Sequence, residues 1–141
     1  MKIKERNTFE IGEVATLSHT ITNTDIQTFS RITDDTNPVH IDESYAKKTR
    51  FGGTIAHGFL VAGLISAVLG TQLPGPGAIY ISQQLRFLAP VYPGDTITAQ
   101  VKVLTWDSIK GRITLLTEVI NQNDAMVLTG DAQLVMASFL K

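Results

Sequence analysis

Two short stretches hold residue types at a spacing that suits proton transfer. In DDTNPVH, residues 34–40, Asp35 and His40 lie on either side of Asn37 and Pro38. A carboxylate and an imidazole that converge on one water can remove one proton and return another near neutral pH, because the unperturbed imidazole titrates at about 6.5. Asn37 would orient the pair, and Pro38 would stiffen the loop that carries it. The residues also admit a plain structural reading, in which Asx turns and a fixed proline φ make a polar corner and His40 bonds to backbone. In IAHGF, residues 55–59, His57 and Gly58 stand where an apolar run begins. Amides at a helix start lack intrahelical partners and sit at the positive end of the dipole, so the Gly58 N–H could polarise a carbonyl oxygen. Without a side chain, Gly58 would also let a ligand approach the backbone.

Other chemistries find little support. The chain has three histidines, His19, His40 and His57, and no cysteine. Thiolate nucleophiles, disulfides and cysteine-ligated zinc are therefore excluded. No H-E-x-x-H, no glycine-rich phosphate loop and no G-x-S-x-G elbow occurs, so neither a metal nor a redox cofactor is expected. His19, in an alternating segment between Ser18 and Thr20, reads as surface. The formal net charge of −1 offers no basic field for nucleic acid or an anionic membrane. Hydrophobic residues make up 43% and charged residues 18%, as in ordinary soluble proteins. The charged start, MKIKERN, lacks a signal-like apolar stretch and is expected to fray, and GFLVAGLISAVLG is too short to span a bilayer. A soluble cytoplasmic protein is the expectation.

The elements that must position these residues can be read from periodicity. EVATLSHTIT (13–22) suits a first strand. Thr24 with Gln27 forms a capping-box pattern ahead of a short helix with Ile26, Phe29 and Ile32 on one side, which must end before Pro38. DESYAKK from Asp42 suits another short helix with an acidic start. From about His57 to Gly70 the residues are apolar almost all round, so that helix belongs in the interior, and LPGPG (73–77) stops it. Four long β-type segments follow, at 78–92, 95–107, 112–122 and 125–139, joined by short turn-like links that imply an antiparallel meander. One apolar helix ahead of such strands is most simply buried by wrapping the sheet around it. The expected class is α+β, a hot-dog fold in a single domain over residues 1–141, with sheet edges that a homodimer would cover.

With both motifs and this order of elements in place, the chain resembles the MaoC-like (R)-specific enoyl-CoA hydratases. The resemblance rests on D-x-N-P-x-H at Asp35–His40, FGGTIAHG at Phe51–Gly58 and the apolar helix that follows, and it extends from roughly Phe9 to Leu134. It implies that Asp35 and His40 hold the water that adds across an enoyl double bond, with Asn37 in support. It implies that the Gly58 N–H binds the thioester oxygen, that Ser66, His57 and Leu64 contact substrate, and that Asp34 is a helix-end bystander. The implied reaction converts trans-2-enoyl-CoA reversibly to (R)-3-hydroxyacyl-CoA, with no cofactor beyond the coenzyme A of the substrate. Leu64, Leu69 and Val135 are candidates for the floor of a pocket for short to medium acyl chains. A dehydratase acting on acyl-carrier-protein thioesters would use the same pair. An acyl-thioester binding module without turnover would have a damaged pair, and a thioesterase would need a carboxylate near residues 57–70, which contain none.

Overall fold

The structure, a computed structural model, describes residues 3–140. Strand β1 (Val14–Thr20) is followed by helices α1 (Asn23–Thr33), α2 (Pro38–Ile41), α3 (Glu43–Ala46) and α4 (Gly58–Thr71). Strands β2 (Ala78–Phe87), β3 (Thr96–Asp107), β4 (Arg112–Ile120) and β5 (Met126–Met136) complete the chain, with a short 3₁₀ turn at Ala137–Phe139. All five strands form one antiparallel sheet in the order β1-β3-β4-β5-β2, and α4 lies across its concave face in the hot-dog arrangement. Among the described residues, no helix is long and apolar enough to cross a membrane.

Alternation along the strands builds the core. Ile97, Ala99, Val101 and Val103 of β3 are buried, and each of the last three faces a buried residue of β4: Val119, Thr117 and Leu115. Period-two strands send these residues to one face, where Val61, Ile65, Val68 and Leu69 of α4 meet them. Burying each such aliphatic side chain contributes about 1.5–3 kcal/mol. The Thr117 hydroxyl, fully buried in this face, accepts a 3.0 Å bond from the Gln83 amide.

Several local expectations need correction. The sheet is not a simple meander. Strands β3, β4 and β5 follow one another, but β2 pairs with β5 at the far edge, so residues 88–95 cross the sheet instead of making a hairpin. Link length does not determine which strand a segment pairs with. The capping box of α1 is formed by Thr22 and Asp25, not Thr24 and Gln27: Asp25 N–H donates to Thr22 Oγ1 and Thr22 N–H to Asp25 Oδ2, both at 3.0 Å. Consequently α1 buries Ile26 and Ser30, while Ile32 is 76% exposed. Helix α4 is not covered all round either, because Phe59, Gly63, Ser66 and Gly70 form an exposed stripe. Nor do residues 5 and 6 fray. Arg6 makes two bonds to Glu13, at 2.7 and 2.9 Å, and Glu5 Oε1 accepts from the Ser138 hydroxyl and amide. The rest of that expectation, at Met1 and Lys2, lies outside the described residues.

Candidate active site

The chain between α1 and α4 makes one corner of the molecule, and it is tied down by backbone. Asp34, in the left-handed region at φ 62°, caps the C-terminus of α1 and turns the chain out of the helix. Aspartate tolerates that conformation better than most residues. Asp35 follows, and one of its carboxylate oxygens accepts the Asn37 amide at 3.3 Å. The Asn37 side chain in turn accepts from Val39 N–H and caps α2, with Pro38 as its first residue. That half-turn carries His40.

Two contacts join His40 to the loop before α4. Ile55 N–H donates to the Val39 carbonyl at 3.2 Å, and His40 Nδ1 lies 2.7 Å from the Ile55 carbonyl oxygen. A carbonyl only accepts, so Nδ1 carries the proton and Nε2 is the basic nitrogen of the neutral ring. The Ala56 amide, bonded to the Val91 carbonyl at 2.7 Å, fixes the same loop to the segment that crosses from β2 to β3.

His57 lies beneath the pair. Its ring is stacked on that of His40, with centroids 3.9 Å apart and planes inclined by 28°, and it is only 2% exposed. Its Nε2 is 3.1 Å from the Asp35 backbone carbonyl and 3.0 Å from the hydroxyl of the buried Ser30. The carbonyl assigns the proton to Nε2, so Nδ1 is left as a lone pair, and no hydrogen-bond partner meets it. Burial pushes the His57 pKa below its ordinary value. The bond to Asp35 opposes that shift, and a charge on His40 would reinforce it.

Asp35, His40 and His57 each offer a ligand-type atom, all within 4.8 Å of one another. The arrangement suits water better than a metal ion. Metal–imidazole bonds lie in the ring plane at about 2.0–2.1 Å, and two stacked rings do not direct their lone pairs at one ion. No direct hydrogen bond joins the Asp35 carboxylate to His40 among the described residues, and two hydrogen bonds of about 2.8 Å through one water span such a gap.

The three residues line a cleft of about 720 Å³, whose wall continues through Phe29, Phe51, Ile55 and Phe87 to Val127 and Leu128. Gly58, the first residue of α4, lies on the same wall, and its amide has no partner within the helix. The cleft is mostly apolar, and its polar lining comes from Thr33, Asp35, His40, Arg50 and His57, with the N-terminus of α4 beside them.

Of the residues singled out in the sequence, Asp35, His40, His57 and Gly58 come together in the cleft, and Asn37 supports them from behind. Ser66 and Leu64 do not line it. Ser66 is on the exposed stripe of α4, and Leu64 packs partly buried against the core. Leu69 and Val135, the other floor candidates, are buried away from it. His57 is enclosed and faces protein groups on both faces and at Nε2, as a supporting group would. His19 is at the surface, bonded to Asp25 at 2.9 Å. Sequence reasoning missed Ser30. Its signal was available: it is four residues after Ile26 on the inward face of α1, where a hydroxyl needs a buried partner.

Comparison with known proteins shows what the chain as a whole is similar to. The family described as MaoC like domain matches residues 7–125. An (R)-specific enoyl-CoA hydratase of Rhodospirillum rubrum is 58% identical over 92 residues, which are 65% of this chain and 64% of that one, just under two thirds of the relative's length. A 3-hydroxybutyryl-CoA dehydratase of Methylorubrum extorquens is 46% identical over 125 residues, covering 87% of this chain and 78% of that one. The solved (R)-hydratase of Aeromonas caviae, involved in polyhydroxyalkanoate biosynthesis, superposes with a TM-score of 0.88 at 39% identity over 92% of this chain and 98% of the other.

Proposed function

Because this chain belongs to the MaoC-like domain family, we propose that it is an (R)-specific enoyl-CoA hydratase, a hydro-lyase that adds water across trans-2-enoyl-CoA and removes it in reverse. The observation that supports the reading is that Asp35 and His40 bring ligand-type atoms within 4.8 Å of each other in the lining of a cleft that also includes Gly58, with His40 Nδ1 held by the Ile55 carbonyl and Nε2 left for a water.

In this reading the enoyl chain lies along the apolar wall with its thioester oxygen at the Gly58 N–H. The pair takes a proton from the water as the water oxygen bonds to Cβ. The π electrons of the double bond shift toward the thioester oxygen, which becomes enolate-like. The amide stabilises that charge, and one such donor is worth about 2.7–4 kcal/mol elsewhere. The pair then delivers the proton to Cα, so hydroxyl and hydrogen arrive on one face. Asp35 and His40 act as a coupled unit. The chemistry calls for no metal and no cofactor beyond the coenzyme A of the substrate, and short to medium acyl chains are the proposed range.

A homodimer belongs to the same proposal. Both sheet edges expose apolar side chains: β1 presents Val14 at 49% beside Thr16, Ser18 and Thr20, while β2 presents three together, Ile79, Tyr80 and Ile81, at 45, 41 and 43% exposure. An apolar edge strand favours pairing with a second copy. A cytoplasmic location, where acyl-CoA substrates would be met, completes the reading.

The test is direct. The purified protein is mixed with crotonyl-CoA, loss of the enoyl-thioester absorbance is followed, and the configuration of the product is determined. Loss of absorbance with (R)-3-hydroxybutyryl-CoA as product supports the reading. Turnover confined to carrier-protein thioesters would replace it with the dehydratase alternative.

A further inference from the structure

His57 is an unusual residue to bury. Its Nδ1 finds no hydrogen-bond partner, and an unsatisfied buried polar atom destabilises a fold. A phenylalanine would fill similar space without that penalty. What histidine offers here is contact with both halves of the acid–base pair at once. Its Nε2–H meets the Asp35 backbone carbonyl at 3.1 Å, and its ring face supports His40 at 3.9 Å. Ser30, 3% exposed, stands 3.0 Å from the same nitrogen, and Phe29 packs on the ring at 4.8 Å between centroids.

We propose that His57, held by Ser30, is a positioning residue that sets the separation and orientation of Asp35 and His40, an inference that rests on the hydratase reading of that pair. The turn at residues 34–37 that joins the α1 C-terminus to α2 has its side chains open to solvent. The buried imidazole bridges them from beneath. It does so as a neutral ring, because burial disfavours its charged form and a second positive charge stacked on His40 would be repelled. His40 is thereby left as the one imidazole of the stack that carries the catalytic proton.

The variant that isolates this role is Ser30→Ala combined with His57→Phe. It removes the Ser30 hydroxyl and the His57 imidazole together, leaves only the Asp35 carbonyl, in the exposed turn, to find water, and keeps a ring beneath His40. Its melting temperature should equal or exceed that of the native protein. Its kcat on crotonyl-CoA should fall by about 10- to 100-fold with KM nearly unchanged, since a displacement on the order of 1 Å in reacting groups has effects of this size. A kcat near the native value, or a fall that merely tracks lost stability, would overturn the proposal. Nitrogen NMR of the histidine rings gives a readout independent of turnover. At neutral pH, His57 should be neutral with its proton on Nε2, and His40 should carry a proton on Nδ1, as their carbonyl partners require. The opposite tautomer at His57 would sink the proposal even if the variant were inactive. Failure of the native protein to turn over crotonyl-CoA would instead count against the hydratase reading, and the NMR result would still decide whether the bridge exists.

Discussion

A β-carbon built on Gly58 would lie 2.6 Å from Cε1 of Phe87, so the first turn of α4 and the end of β2 approach too closely for any side chain between them. The absence of a side chain leaves the N-terminus of the helix bare toward the cleft. Phe87 is half exposed and its ring can swing outward. Gly58→Ala should therefore change stability little, because the lower chain entropy of alanine, worth about 0.4–1 kcal/mol, offsets the displaced ring. Turnover should nevertheless fall by at least about tenfold, as the methyl group and ring encroach on the thioester oxygen's donor. Thermal melting and kcat/KM of the variant, measured together, check both halves.

The adjacent aspartates should separate cleanly. Asp34 sits in left-handed backbone as a helix cap, a place asparagine also accepts, and Asp34→Asn should leave both fold and turnover near native. Asp35→Asn keeps the shape but removes the base, and His40→Ala removes its partner. Each should lower kcat by about 10²–10⁴-fold, the usual worth of positioned acid–base groups, with a native circular dichroism spectrum. Near-native turnover in either variant would remove the mechanism.

Acid should destabilise the fold through His57. Its folded pKa lies below the ordinary value because of burial, so the unfolded chain takes up the proton more readily. Stability is then full above about pH 6.5 and declines as pH falls below that value toward the depressed folded pKa. Urea midpoints at neutral and mildly acidic pH should differ more in the native protein than in the Ser30→Ala/His57→Phe variant. Equal differences in the two proteins would show that another group carries the effect.

Edge strand β2 offers a test of assembly. Replacing Ile81 with lysine places a charge on the apolar stretch Ile79–Ile81 of the edge strand, a device that natural sheet edges use to prevent pairing. Light scattering should report a dimer for the native protein and a monomer for Ile81→Lys. A native monomer would leave this edge without the proposed partner.

The residues show how far local pattern reaches. Ile97, Ala99, Val101 and Val103 announce a half-buried strand because strand period is a property of the chain itself, and the apolar run after His57 announces the central helix for the same reason. The D-x-N-P-x-H and A-H-G segments were legible because turn residues and proton-transferring residues coincide within a few positions. Other features depend on partners far along the chain. β2 pairs with β5 across residues 88–125, and Ser30 bonds His57 from 27 positions away. Ser66 and Leu64 share the central helix with Gly58, yet helical rotation turns them away from the cleft that Gly58 enters. Sequence by itself determined the elements and the pair of residues fit for proton transfer. Only the tertiary structure decided which strand neighbours which and what lies beneath the pair, because sheet register and burial are set by contacts that no local period encodes.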